Sequence, residues 1–272
     1  MENPSHFLEF AIKIAKEAGS IQMNYFGNVT SVEKKSTNID LVTKADIESE
    51  KYLIEQIQNN FPDHSIISEE SGETSKDSEY LWIIDPLDGT TNFAHNFPIF
   101  AISIGLVKKG QGVISAVVYN PAADKCFFAE KNKGAFLNDT PIRCTSSKTL
   151  SESLLATGFP YLHDCRYDLS FEIFKRFYDA TRGLRRLGAA SLDLCFVAMG
   201  RFDGYYEYEL KSWDICAGSL IAREAGAIVT DWDNSVLPID GSRILATNGL
   251  IHKEMIEILS ENKYSIFYSL DK

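Results

Sequence analysis

Residues 82–93 read Trp82-Ile83-Ile84-Asp85-Pro86-Leu87-Asp88-Gly89-Thr90-Thr91-Asn92-Phe93. The apolar run from Tyr80 to Ile84 predicts a short buried strand that ends in an acid. Pro86 disfavours helix at Asp85 and keeps that residue extended at the strand end. Asp88-Gly89 turns the chain, and Thr90 and Thr91 open a helix whose free N–H groups face the same point. One tight turn therefore aims two carboxylates, a backbone carbonyl, a hydroxyl and a helix N-terminus at one place. Hard oxygen ligands of this kind suit Mg²⁺, which takes octahedral oxygen at roughly 2.0–2.1 Å and shares its shell with water and substrate phosphate. A blander reading, an Asx turn and an N-cap on a surface loop, also explains these residues taken alone.

Two further acidic features bear on that choice. Glu69-Glu70 follows a predicted strand, Ser65–Ser68. Adjacent strand residues point to opposite faces, so at most one of the pair enters a site. Alone, the pair reads as a solvated acidic turn. Ser212-Trp213-Asp214 opens a predicted helix that carries the small residues Ala217 and Gly218. Alone, Asp214 reads as an N-terminal acid favoured by the helix dipole.

Upstream, Asn3 as N-cap, Pro4 at the first helical position and Gly27 beyond the end bound a helix. Its apolar stripe is Phe7, Ala11, Ile14, Ala18, Ile21 and Tyr25. A second helix is predicted from Thr43 to about Asn60, with Asp46 as capping-box partner. Downstream, residues 100–118 form a hairpin pattern around KKGQG, and KCFFAE with AFLN forms another. The first half thus reads as helices on a largely antiparallel sheet. In the second half, strands at 153–157, 204–207, 227–230 and 244–247 alternate with helices at 169–181, 191–199, 214–225 and 252–259. The fold class is α/β, a layered α+β sandwich. A soft boundary near residue 145 separates an N-terminal half (1–145), which carries Glu69 and DPLDGTT, from a C-terminal half (146–272), which carries Glu207 and Asp214.

The 272 residues include 27 Lys and Arg against 38 Asp and Glu, a net charge of 27 − 38 = −11. Such a surface repels nucleic acid and anionic membranes, and the only basic cluster, Arg182, Arg185 and Arg186, is too small to reverse that. No apolar run approaches the roughly 18 residues of a membrane span, and no signal-peptide pattern opens the chain. Five scattered cysteines without a C-x-x-C pair point to free thiols in a reducing compartment, so the expected location is the cytoplasm. The histidines lack metal-ligand spacing. His95 reads as structural, and Phe93, Phe97 and Phe100 as core.

An acid after a strand, then D-P-x-D-G-T-T, then W-D at a distant helix start resembles the inositol monophosphatase family. IDLVTKAD (39–46), ISEES (67–71), WIIDPLDGTTNF (82–93), KGAFLN (133–138), GAAS (188–191) and SWDICAGSLIAREAG (212–226) carry the resemblance over nearly the whole chain. It implies the sugar-phosphatase fold of alternating helix and sheet layers. It also implies an Mg²⁺-dependent, lithium-sensitive phosphoric monoester hydrolase, a homodimer by the same likeness, with a small phosphorylated substrate, myo-inositol monophosphate first. By resemblance, Asp85 bridges two of two or three Mg²⁺ ions, Glu69 and the Leu87 carbonyl bind the first, and Asp88 and Asp214 bind the second. Glu69 and Thr90 orient the attacking water. Lys35 and Asp46 support a weaker third ion, and Glu70 is left to the surroundings. Asp88, Gly89, Thr90, Gly188, Ala189, Ala190, Glu207 and Asp214 contact substrate, with Glu207 on the alcohol's hydroxyls. Fructose 1,6-bisphosphate, NADP, histidinol phosphate and 3′-phosphoadenosine 5′-phosphate are alternative substrates, for which Lys211 and Arg182–Arg186 offer a second anion contact. A non-catalytic, metal-binding regulatory protein is the alternative of another class.

Overall fold

The computed structural model describes residues 1, 4–28, 32–34, 41–160 and 164–269. Helix α1 (His6–Tyr25) precedes an antiparallel ribbon of β1 (Val32–Lys34) and β2 (Leu41–Thr43), and helix α2 (Lys44–Asn60) follows. Strands β3 (Ser65–Ser68), β4 (Gly72–Thr74) and β5 (Tyr80–Asp88) lead into the short helix α3 (Thr90–Ala94). Next come β6 (Ala101–Lys108), β7 (Gly112–Asn120), β8 (Lys125–Glu130), β9 (Ala135–Leu137) and β10 (Thr140–Pro141). They complete an eight-stranded sheet, β10-β9-β8-β7-β6-β5-β3-β4, antiparallel except where β3 pairs with β5. The second half runs β11 (Leu154–Thr157), α4 (Tyr167–Ala180), β12 (Gly183–Arg185), α5 (Ala190–Ala198), β13 (Gly204–Tyr208) and α6 (Ser212–Glu224). It ends with β14 (Ile228–Thr230), β15 (Arg243–Thr247), α7 (His252–Leu259) and α8 (Ile266–Ser269). Its five-stranded sheet, β12-β11-β13-β15-β14, is parallel across β12, β11 and β13 and antiparallel beyond.

The layers alternate. On one face of the large sheet, Leu8 and Ile14 of α1 and Leu53 and Ile57 of α2 bury Trp82, Ile84, Ile104 and Val117. On the other, Leu192 and Cys195 of α5 and Leu220 and Ile221 of α6 cover Ala116, Val118 and Phe127. The opposite sides of α5 and α6 place Leu194, Val197, Ile215 and Ala222 against Tyr205, Ile244 and Ala246 of the small sheet. Phe177, Met255, Leu259 and Phe267 close its outer face. A helix sandwiched between two sheets is apolar on both sides, as α5 is.

Local signals set the helix ends. Thr43 caps α2 by accepting from Ala45 N–H at 3.2 Å, while Asp46 Oδ2 accepts from Thr43 N–H at 2.8 Å, the capping box read from sequence. Helix α1 starts later than expected. Its cap is Ser5, not Asn3, which lies outside the described residues. Ser5 Oγ accepts from Leu8 N–H at 3.2 Å, and Ser5 N–H is itself fixed by Glu130 Oε2 at 3.1 Å, a long-range tie with no local signature. Phe93 and Phe100 are fully buried, but Phe97 is 48% exposed, which corrects its reading as core. Asn96 takes the left-handed conformation (φ 58°) just past α3 and turns Phe97 outward. His95 is exposed and does not line the cleft described below. All five cysteines are free. Among the described residues no helix is long and apolar enough to cross a membrane.

Candidate active site

The turn after β5 is built as its residues require. Asp85 pairs with Ser103 and Asp88 with Ala101 on β6, and the ladder is irregular between them, where Pro86 has no N–H to donate. Leu87 N–H donates to Asp85 Oδ1 at 2.9 Å, and buried Gln22 of α1 donates through Nε2 to the Pro86 carbonyl at 2.6 Å. Gly89 has φ 90°, and a Cβ there would lie 2.9 Å from the Ile99 carbonyl oxygen, so both backbone and space demand glycine. The chain then enters α3. Thr90 Oγ1 lies 3.0 Å from Asp46 Oδ1 and 3.0 Å from the Leu87 carbonyl. Asp46, fully buried, stands behind Thr90 and away from the cleft lining.

Glu69 is presented by a turn that α2 holds from behind. Buried Glu50 accepts from Ser68 Oγ at 2.5 Å, Glu70 N–H at 2.9 Å and Ser71 N–H at 3.0 Å through Oε1, and from Ser71 Oγ through Oε2. Glu69 faces the cleft and Glu70 does not, so one acid of the pair enters, although both lie in the turn beyond β3 and not in a strand.

The second half supplies the facing wall. Asp88 Oδ1 accepts from Ala190 N–H at 3.2 Å and Oδ2 from Ser191 N–H at 2.8 Å and from the Ser191 hydroxyl. The N-terminus of α5 is thereby docked onto the β5 turn, and Asn92 Nδ2 strengthens the seam by donating to the Leu187 carbonyl at 2.8 Å. Asp214 sits three residues into the opening of α6 and accepts from Lys211 N–H through Oδ2 at 2.6 Å. Asp214 is thus an acid in the first turn of α6 that also accepts from the backbone before it, and the same carboxylate lines the cleft.

The cleft encloses about 300 Å³. It gathers eleven of the residues singled out in the sequence: Glu69, Asp85, Leu87, Asp88, Gly89, Thr90, Gly188, Ala189, Ala190, Glu207 and Asp214. Lys35 lies outside the described residues. Sequence reasoning missed Glu50, Gln22 and Ser191, whose contacts join segments far apart in the chain. Of the three, Ser191 alone falls within a motif segment, GAAS.

Six carboxylates line this cleft (Glu69, Asp85, Asp88, Glu207, Glu209 and Asp214) against two cations, Arg186 and Lys211. Burial pushes Asp85 well above the usual carboxylate range, and the charges of Glu69, Asp88 and Asp214 raise it further. Burial likewise raises Asp214 well above that range, against the hydrogen bond from Lys211. Asp88 is pushed up to about 6 by burial, opposed by the Ser191 hydrogen bonds. Asp46 reaches about 6 by burial, opposed by Thr43. Burial takes Glu207 to about 7, against the Tyr205 hydrogen bond.

Such a crowd of buried like charges fits a divalent cation. Among the described residues no three His, Cys, Asp or Glu side chains form a ready-made metal cage, and Asp88 and Asp214 each turn an oxygen onto backbone N–H groups. The donor set is nevertheless entirely hard oxygen, as Mg²⁺ requires. Asp88 and Glu207 bind protons on folding, so the stability they contribute is present at low pH and lost as pH rises through about 6 to 7. A cation relieves that loss. Mg²⁺ is therefore expected to raise Tm more at about pH 7.5 than at about pH 5.5, where protons compete for the ligands. Equal Tm gains at both pH values in thermal melts count against a cation among these acids.

Residues 3–264 match the model of the Inositol monophosphatase family. The chain is similar to the Inositol-1-monophosphatase of Synechocystis sp., 42% identical over 255 residues that span 93% of this chain and 88% of that protein. It is also similar to the Putative Nus factor SuhB of Neisseria meningitidis serogroup B, 44% identical over 256 residues, 93% of this chain and 98% of that one. Among solved structures, the extragenic suppressor protein suhB from Bartonella henselae superposes with a TM-score of 0.90 at 35% identity, covering 95% of this chain and 100% of that chain. The layered fold and acid-lined cleft are thus those of a phosphatase. This chain belongs to the inositol monophosphatase family.

Proposed function

We propose that this chain hydrolyses a myo-inositol monophosphate to inositol and phosphate. The observation that carries the reading is one cleft holding both an oxygen-donor cluster (Glu69, Asp85, Leu87, Asp88 and Asp214) and, beside it, Glu207 with the Gly188–Ala190 backbone. The first group suits metal-assisted attack on phosphorus, the second a polyhydroxy alcohol. Two or three Mg²⁺ ions held by the cluster supply neutralisation of the phosphate and of the entering and leaving oxygens. Asp85, Asp88, Glu69, Asp214 and the Leu87 carbonyl would hold them, with Lys35 and Asp46 in support. Glu69 accepts the proton of a water that Thr90 orients, and Asp46 fixes the Thr90 hydroxyl by accepting from it. Residues 1–145 and 146–272 act as one catalytic unit, since each lines part of the cleft. The proposal extends to a lithium-sensitive, cytoplasmic homodimer, on family likeness.

A substrate panel at fixed Mg²⁺, read as phosphate release, tests this. The inositol monophosphate is expected to exceed fructose 1,6-bisphosphate, NADP, histidinol phosphate and 3′-phosphoadenosine 5′-phosphate in kcat/KM by about tenfold or more, the scale set by a hydroxyl-binding group. A different preferred ester reassigns the substrate. The name of the Neisseria relative, Putative Nus factor SuhB, favours a second reading, a Nus-factor role. An absence of phosphate release from every ester would overturn the hydrolase reading.

A further inference from the structure

The small sheet brings a glycine against Glu207. Strands β11 and β13 pair in parallel with Ala156 opposite Tyr205 and Thr157 opposite Tyr206, so Gly158 arrives beside Glu207. A Cβ at Gly158 would overlap both carboxylate oxygens of Glu207. Gly158 is not among the positive-φ glycines, so its backbone suits any residue and only space calls for glycine.

The other support comes from the same strand. Tyr205 and Glu207 are two residues apart and share a face of β13. Tyr205 is fully buried among Leu194, Ile215 and Ile244. Its phenol donates to Glu207 Oε2 at 2.6 Å. Close packing around the fully buried ring restrains it, so the hydroxyl is held in place. Glu207 Oε1 receives no hydrogen bond among the described residues, and Glu207 lines the cleft.

We propose that Tyr205 and Gly158 are positioning residues that seat the Glu207 carboxylate so that its remaining oxygen receives vicinal hydroxyls of the leaving alcohol. Gly158 gives the carboxylate its place and Tyr205 orients it. A carboxylate oxygen has lone pairs for two donors, and adjacent hydroxyls of a ring present two at suitable spacing. Seating the side chain before the substrate arrives removes the rotamer ordering that binding would otherwise require. The inference rests on the reading of Glu207 as the alcohol-binding acid and assigns what makes that acid selective.

The test measures the ratio of kcat/KM for inositol 1-phosphate to that for p-nitrophenyl phosphate, whose leaving group has no further hydroxyl. Tyr205→Phe removes one oxygen and is expected to lower the ratio about tenfold, the scale for a hydrogen bond to a charged group, mainly through KM. Glu207→Gln is expected to collapse the ratio, and Tyr205→Phe added to it should change the ratio by less than about twofold, because the phenol acts only through Glu207. Gly158→Ala is expected to lower the ratio further than Tyr205→Phe. Should that variant fail to fold in a thermal melt, Tyr205→Phe decides. Equal losses on both esters in Tyr205→Phe, or no loss, overturn the inference alone, provided Glu207→Gln collapses the ratio. An unchanged ratio in Glu207→Gln, or no turnover of either ester by the parent protein, overturns the reading of Glu207 and this inference with it.

Discussion

Asp88→Asn and Asp214→Asn are each expected to lower kcat/KM for phosphate release by about 10²-fold or more, because removing even a group that supports a metal ligand costs 10–100-fold. Each change keeps the side chain's size and deletes a charge from the second proposed Mg²⁺ position. The Mg²⁺ concentration for half-maximal rate is expected to rise in both. Folding should survive, for different reasons at the two sites. Asn at position 214 retains a carbonyl for Lys211 N–H, so the opening of α6 stays capped. With its amide oxygen at the Oδ2 position, Asn at position 88 still accepts from both Ser191 N–H and the Ser191 hydroxyl, and its NH2 faces Ala190. The Ala190 N–H then loses its partner, a cost of about 1–3 kcal/mol. Removing a buried charge offsets part of it, since burial already disfavours ionised Asp88. Rate, Mg²⁺ titration and Tm on each variant check this. Near-parental turnover with an unaltered Mg²⁺ response in either would remove that acid from the metal set.

Much of the fold was legible because its signals are local. The Thr43/Asp46 capping box, the hairpins around residues 108–112 and 131–134, and helix α7 follow from residues that touch their sequence neighbours. Pairing between distant strands was not. Nothing in Ser65–Ser68 says that it runs parallel to β5, and Gly183–Arg185 carries neither alternation nor an apolar run, yet it adds an edge to β11. The same division holds in the cleft. The turn chemistry of Asp85 to Thr90 can be read residue by residue, since Pro86, Gly89 and the Asx turn act within a few bonds. The clamp of Glu50 on the Glu69 turn spans about twenty residues, and the docking of Asp88 onto α5 spans a hundred. In sequence, Glu50 is one of many acids on a helix. Only its burial and its four donors separate it from the solvated ones.

Glu69→Gln is expected to lower kcat by about 10²–10⁴, the range for losing general-base help. The amide keeps the shape and one oxygen but has no charge and takes no proton. The turn that carries it is held by Glu50 through Ser68 and Ser71, and the amide can still hydrogen-bond Asp85, so Tm should change little. Thr90→Val removes a hydroxyl that lies within hydrogen-bond distance of both Asp46 and the Leu87 carbonyl. It therefore costs orientation of the water and one donor to a fully buried carboxylate. Thr90→Ser separates these from simple loss of the methyl, since it restores the hydroxyl, and it should keep most of the rate. The decisive measurement is the double variant. Two groups that serve one water lose its help once, so Glu69→Gln with Thr90→Val should be little slower than Glu69→Gln alone. Costs that multiply in the double variant would mean that Glu69 and Thr90 act on separate steps. The shared water would then have to be abandoned, and Thr90 would be left with the task that its geometry shows without substrate, holding Asp46 against the turn after β5.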